Sequence, residues 1–248
     1  MTLEQFFAEN REVAIAFSGG VDSAYLLYAA TRYAVRVKAY YVSTAFQPEF
    51  ELADARRLAD ELGADMLVLH VDVLSNSAVT ANPSDRCYHC KNTLFRQILR
   101  AAGNDGFPVL LDGTNASDDA GDRPGMRALR ELSVRSPLRE CGLTKAEIRR
   151  LSREAGLFTW DKPAYACLAT RIRTGEEITL QKLKQTEKAE GFLFGLGFRD
   201  FRVRMVDNTA KLELRETDLP LLLENREKIV TELRKDYDSV LLNLEVRK

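Results

Sequence analysis

Between residues 13 and 111 the chain repeats one pattern: a short apolar run, then a segment whose apolar residues recur at helical spacing. Val13 to Phe17 is followed by helical spacing from about Asp22 to Tyr33. Val35 to Ser43, rich in Val and Tyr, is followed by a second helical segment from about Glu49 to Leu62 that closes at Gly63. Met66 to Val71 leads through a loop to a helix over Lys91 to Ala102, and Pro108 to Leu111 comes next. Strands separated by helices cannot pair as hairpins. They close through right-handed crossovers into a parallel sheet with helices on both faces, so the expected fold class is α/β. Ligands of such sheets sit at the carboxyl ends of the strands, which directs attention to the residues that follow each run.

The first run ends in FSGGVDS, residues 17 to 23. Gly19 and Gly20 allow positive φ and a close approach of a ligand to the backbone, and the N–H groups that open the next helix form an anion site. Ser18 and Ser23 add hydroxyls, and Asp22 can hold a Mg²⁺ ion that bridges phosphates. The spacing is neither that of a Walker A loop, since no Lys follows, nor G-x-G-x-x-G, since the glycines are adjacent. The fourth run ends in Asp112-Gly113-Thr114-Asn115, followed by Asp118, Asp119, Asp122 and Arg123-Pro124-Gly125. A hydroxyl, an amide and several carboxylates at the mouth of a parallel sheet suit ribose, Mg²⁺ and a charged acceptor; the same composition also describes a solvated acidic loop. A third stretch, KPAYACLATR at 162 to 171, sets Cys167 between Lys162 and Arg171. Cations raise the thiolate fraction of a cysteine, and the thiolate is the nucleophile; the alternative for such a thiol is buried packing.

The segment LTKAEIRRLSREAGL carries a capping-box pattern at Thr144 and Glu147, with Ile148, Leu151 and Ala155 on one face, and it closes a first domain expected over 1–158. Residues 159–178 show neither period and read as a connector that carries chemistry. Residues 179–248 form a smaller α/β domain: a helix from about Leu180 to Leu196, an alternating run Phe201 to Val206, an Asp-Asn turn, Lys211 to Arg215, a helix ending near Asp236 and a strand near Val240 to Val246. With 36 Lys and Arg against 37 Asp and Glu, the chain has no global basic field to attract polyanions, which argues against a nucleic-acid partner. No stretch approaches the ~20 apolar residues of a membrane span, and the first residues lack the pattern of a secretory signal. Four cysteines do not make a disulfide framework, so the expected setting is a soluble protein in a reducing cytoplasm.

SGGVDS resembles the PP-loop of the ATP-pyrophosphatase superfamily, the adenine nucleotide alpha hydrolase-like enzymes that cleave ATP to AMP and pyrophosphate and adenylate an acceptor oxygen. The three motifs in order, over most of the chain, resemble the LarE-type sulfur transferases of nickel-pincer nucleotide cofactor biosynthesis. That resemblance implies ATP and Mg²⁺ as cofactors, with ATP held by Ser18, Gly19, Gly20, Asp22, Ser23, Gly113 and Thr114. It implies adenylation of the two carboxylates of pyridinium-3,5-biscarboxylate mononucleotide and their conversion to thiocarboxylates, with Asp22 and Cys167 as catalytic residues. In the sacrificial version of this chemistry the cysteine surrenders its own sulfur and becomes dehydroalanine. Thr170 stands where the family usually has Ser, and Thr170, Arg171, Arg202 and Arg204 are the implied substrate-binding residues. Arg202 and Arg204 alternate along a strand and share a face. Glu190 and Glu213 match acidic residues near the family's active site and are candidate metal ligands. The family's hexamers imply a homo-oligomer.

Cys87-x-x-Cys90 offers two soft ligands, and Cys167 a third; three thiolates leave one iron of a 4Fe–4S cluster open to bind sulfide. Two sulfur sources therefore stand, the cysteine itself and a cluster. Cys141 and His70 read as structural. Three rival readings share the loop. A tRNA-thiolating enzyme would need a basic surface, an amide-forming enzyme would give Cys167 no task, and a non-catalytic nucleotide-binding module would need neither Asp22 nor a nucleophile.

Overall fold

The structure is a computed structural model that describes residues 1–118 and 124–247. In chain order the helices and strands are α1 Leu3–Glu9, β1 Glu12–Phe17, α2 Val21–Tyr33, β2 Arg36–Ser43, α3 Glu49–Leu62, β3 Asp65–His70, α4 Ser77–Thr80, α5 Arg86–Asn104, β4 Val109–Leu111, α6 Pro124–Glu131, α7 Pro137–Glu140, α8 Lys145–Glu154, α9 Leu180–Gly195, β5 Arg202–Val206, β6 Thr209–Glu213, α10 Leu219–Glu224, α11 Arg226–Leu233 and β7 Ser239–Leu242. A 3₁₀ turn covers Leu168–Arg171. They fall into two compact units, the first made of Met1–Val73 and Asp85–Lys162, the second of Leu74–Ser84 and Pro163–Lys248. The stretch expected as a connector is thus divided, 159–162 going with the first unit and 163–178 with the second. Among the described residues no helix is long and apolar enough to cross a membrane.

The first unit is built on a parallel sheet of order β3-β2-β1-β4, the architecture that the alternation of runs and helices demands. β1 lies inside the sheet and is covered on both faces, which explains its near-continuous apolar sequence. Its odd residues Val13, Ile15 and Phe17 pack with Leu26 and Leu27 of α2, Leu58 of α3 and Ile148 of α8. Its even residue Ala14 packs with Ile98 and Ala102 of α5 on the opposite face. α5 starts five residues earlier than its apolar spacing suggests, because Arg86 to Cys90 are helical without contributing to the apolar stripe.

In the second unit β5 and β6 form an antiparallel hairpin through Asp207, which takes a left-handed φ of 50°, and β7 adds parallel to β6. One face carries Val203, Met205 and Leu212 against Leu193 of α9 and Ile229 and Leu233 of α11. The expected single helix ending near Asp236 is two helices, α10 and α11, which meet at Asn225. The segment 74–84 belongs to this unit through hydrogen bonds to the loop after the 3₁₀ turn. The Thr80 carbonyl accepts from Ile178 N–H and the Asn82 carbonyl from Gly175 N–H, while the buried Asn82 amide donates to the Ile172 and Arg173 carbonyls.

Candidate active site

β1 delivers Ser18 to the carboxyl end of the sheet, and the turn that follows needs its glycines for definite reasons. Gly19 has φ +71°, and a Cβ there would also press on Ala55 of α3 at 3.2 Å. Gly20 is the N-cap of α2, so no cap side chain occupies the first-turn N–H groups, the kind of helix start that suits an anion. Ser18 and Ser23 brace the turn from inside: their hydroxyls lie 3.0 Å apart, Ser23 Oγ donates to the Gly20 carbonyl and accepts from Ser18 N–H. Gly113, after β4, lies so close to this helix start that a Cβ would sit 2.9 Å from Ser23 N. Thr114 donates to Asp112, whose other oxygen accepts from Ser136 at 2.6 Å. The loop after β4 is thereby locked against the loop after β1.

Asp22 is where the distant parts of this unit converge. Its Oδ2 is 2.6 Å from Lys145 Nζ, and its Oδ1 accepts from Asn115 Nδ2 at 3.3 Å. Lys145 is the first residue of α8, whose capping box of Thr144 and Glu147 is formed as the sequence predicts. A lysine at a helix N-terminus opposes the macrodipole, and that conflict was the available sign that Lys145 has a task elsewhere. Lys162 is anchored in the same unit: Nζ lies 2.7 Å from Asp54 and 3.5 Å from the Gly19 carbonyl. Asp118 accepts from Asn115 N–H and so shapes its own turn. Asp119, Asp122 and Arg123 lie outside the described residues. Pro124 and Gly125 open α6, where Gly125 packs on the Lys91 stem.

In the second unit Cys167 is half-buried, at the N-cap of the 3₁₀ turn. Arg171 at the end of that turn has a side chain 0% exposed. Its Nε and Nη2 make a bidentate pair with Glu190 at 2.7 and 3.1 Å, and Nη1 donates to the Ala166 carbonyl and to Thr170 Oγ1. Burial works against the Arg171 charge, yet Glu190, with Tyr165 and Cys167, outweighs it and raises the pKa. Thr170 donates to the Cys167 carbonyl through both N–H and Oγ1. Arg202 is buried and donates to the Phe201 and Ala164 carbonyls; burial, then the Arg171 and Arg247 charges, lowers its pKa. Arg204 bonds Glu213 at 2.8 Å and the Thr170 carbonyl at 2.7 Å, with its side chain 42% exposed.

The carboxylate of Glu190, expected as a metal ligand, accepts from Arg171, Tyr165 and Val203 N–H. Both of its oxygens are engaged inside the protein. Glu213 likewise faces Arg204. Sequence reasoning overlooked Tyr165: its hydroxyl donates to Glu190, and its ring lies 4.8 Å from the Arg171 guanidinium and 5.5 Å from that of Arg202. No sequence spacing announces that meeting.

Cys87 and Cys90 sit among the first five residues of α5, the former exposed and the latter half-buried. Among the described residues no three His, Cys, Asp or Glu side chains are grouped to hold a metal ion. Cys141 packs against the apolar core of the first unit, and burial raises its pKa, as befits a structural thiol. His70 is exposed at the end of β3.

Residues 4–117 match the asparagine synthase family. A protein of Synechocystis with no assigned function is 40% identical over 215 residues, covering 86% of this chain and 80% of that one. The pyridinium-3,5-bisthiocarboxylic acid mononucleotide synthase of Lactiplantibacillus plantarum is 33% identical over 217 residues, 87% of this chain and 79% of that protein. A Methanocaldococcus jannaschii protein, also without assigned function, is 30% identical over 240 residues, 96% of this chain and 91% of its own length. With a PP-loop at the end of the first strand and this extent of likeness, the chain belongs to the LarE-type family of PP-loop proteins.

Proposed function

We propose that this chain is an ATP-dependent sulfur transferase that adenylates the carboxylates of pyridinium-3,5-biscarboxylate mononucleotide and converts them to thiocarboxylates with the sulfur of Cys167. The observation that carries this reading is the braced Ser18–Ser23 turn with Asp22 beside it, in a chain 33% identical to a protein named for the bisthiocarboxylate product. The polyphosphate of ATP lies against the N-terminus of α2, where the Gly19–Gly20 backbone admits it and the helix end favours negative charge. Asp22 is the hard oxygen ligand suited to Mg²⁺, and it is reachable, with its side chain 24% exposed. When bound, Mg²⁺ neutralises charge on the phosphates. Thr170, Arg171, Arg202 and Arg204 serve the anionic substrate unequally. Arg204, the one of the three arginines with an exposed side chain, meets it, and the two buried arginines and Thr170 shape the segment that carries Cys167.

The chemistry follows from a thiolate and an activated carboxylate. The Cys167 thiolate attacks the acyl-adenylate and expels AMP, giving a thioester. Loss of the Cα proton and cleavage of Cβ–Sγ then leave a thiocarboxylate on the substrate and dehydroalanine at position 167. Cys167 follows Lys162, the residue anchored at Gly19, by five residues, a stretch that spans at most about 18 Å. A cluster route asks for three grouped thiolates. The sacrificial route asks for Cys167 alone, and it is the route proposed.

Intact-mass analysis after one turnover with ATP, Mg²⁺ and the dicarboxylate nucleotide tests the proposal. AMP release with a loss of about 34 Da located at Cys167, the mass of H₂S, is the expected result. AMP release with thiocarboxylate formed and an unchanged protein mass would overturn Cys167 as the source.

A further inference from the structure

We propose that Tyr165 is a positioning residue for Cys167, acting through Glu190 and Arg171. The residues around the thiol are held almost carbonyl by carbonyl. Arg202 takes the Ala164 carbonyl at 2.6 Å, Arg171 takes Ala166 at 2.9 Å, Thr170 takes Cys167 at 2.8 Å, and Arg204 takes Thr170 at 2.7 Å. Two of these guanidiniums, those of Arg171 and Arg202, are buried and carry like charges, so something must fix them side by side. Glu190 neutralises Arg171, Asp200 lies 3.9 Å from Arg202, and Tyr165 joins the two arginines. Its ring presents a π-face within cation–π reach of both guanidiniums, and its hydroxyl donates to the Glu190 oxygen that also binds Arg171 Nη2. Phe194 of α9 packs on the ring at 6.4 Å between centroids and ties it to the apolar core. Tyr165 is therefore linked at once to the core, to Glu190 and to both arginines, two residues before the sulfur.

The consequence for chemistry is one of aim. A nucleophile misplaced by about 1 Å can cost roughly 100-fold in rate, and the Cys167 turn is short enough that its shape follows from those arginine bonds. Removing the Tyr165 hydroxyl leaves the Glu190–Arg171 pair in place and takes away the bond that orients it.

This inference rests on Cys167 as the sulfur-handling residue, and its test has one arm that does not. In the whole protein, Tyr165→Phe and Glu190→Gln, singly and together, are treated with iodoacetamide at fixed pH, and the rate at each of the four cysteines is read by peptide mass mapping. Cys167 is expected to react at least threefold faster in Tyr165→Phe while Cys87, Cys90 and Cys141 keep their wild-type rates and Tm stays within a few degrees. The single-turnover sulfur-transfer rate is expected to fall about tenfold with ATP affinity unchanged, and the double variant to lose less than the product of the two single losses. An unaltered Cys167 rate in Tyr165→Phe would overturn the proposal, as would a rise at all four cysteines together with a fall in Tm, which marks general loosening. A wild-type protein that transfers no sulfur while Tyr165→Phe still changes Cys167 alone would refute the proposed function and leave the positioning role standing.

Discussion

Asp22 shows how much one carboxylate can be asked to do. It is half of an ion pair with Lys145, it accepts from Asn115, and in the proposed reaction it must also hold the ion that bridges the phosphates. Charge stabilisation aimed at a departing group is the largest contribution that single residues make to such reactions. Asp22→Ala is therefore expected to abolish AMP formation while far-UV circular dichroism and Tm stay near wild type, since Lys145 is solvated enough to lose its partner. Retained AMP formation would remove the loop from the mechanism. At this scale the sequence was readable where chemistry and backbone coincide, as at Gly19, whose positive φ only glycine takes comfortably. It was unreadable where a residue acts through a distant partner. Nothing local says that Arg171 spends its fork on Glu190, 19 positions away, or that Gly113 is needed for contact with Ser23.

Elements were legible in proportion to their periodicity. The capping box of α8 and the left-handed Gly63 that ends α3 stand where the residues place them. The short helices α4 and α7 leave no periodic trace, because four residues are too few to show one. The sheet of the first unit also carries a polar network that ties β2 to the end of α5. Tyr40 donates to Asp105 at 2.6 Å, and Lys38 bonds the same carboxylate at 2.9 Å. The Tyr40 hydroxyl first, then Lys38, holds Asp105 below its ordinary value of 3.8. A carboxylate whose folded pKa is depressed adds stability that is present above the unfolded value and is lost as pH falls through the folded one. The Tm difference between wild type and Asp105→Asn is thus expected to be widest at neutral pH and to close as pH falls below the ordinary value of 3.8. A gap that grows in acid would contradict the assignment.

At the scale of the whole molecule the cysteines divide: Cys141 packs against the core, Cys167 is the reactant of the proposed reaction, and the pair on α5 lies outside that proposal. An iron-free Cys87→Ala/Cys90→Ala double variant is expected to give full single-turnover sulfur transfer with the mass loss at Cys167. Loss of transfer in that variant, restored in wild type by iron, would return the cluster to the mechanism. The α/β class and the presence of a second, smaller sheet were both evident from the order of runs and turns. The allegiance of residues 74–84 was not, because contacts that span the chain leave no mark on local composition. That allegiance has a consequence during synthesis. Asn82 leaves the ribosome 90 residues ahead of Ile172, whose carbonyl it will bind. At roughly 5–20 residues per second it waits several seconds or more for its partner. The first unit must meanwhile form its sheet from chain on both sides of a segment that it does not keep, and that segment meets its own partners only once residues 172–178 have been made.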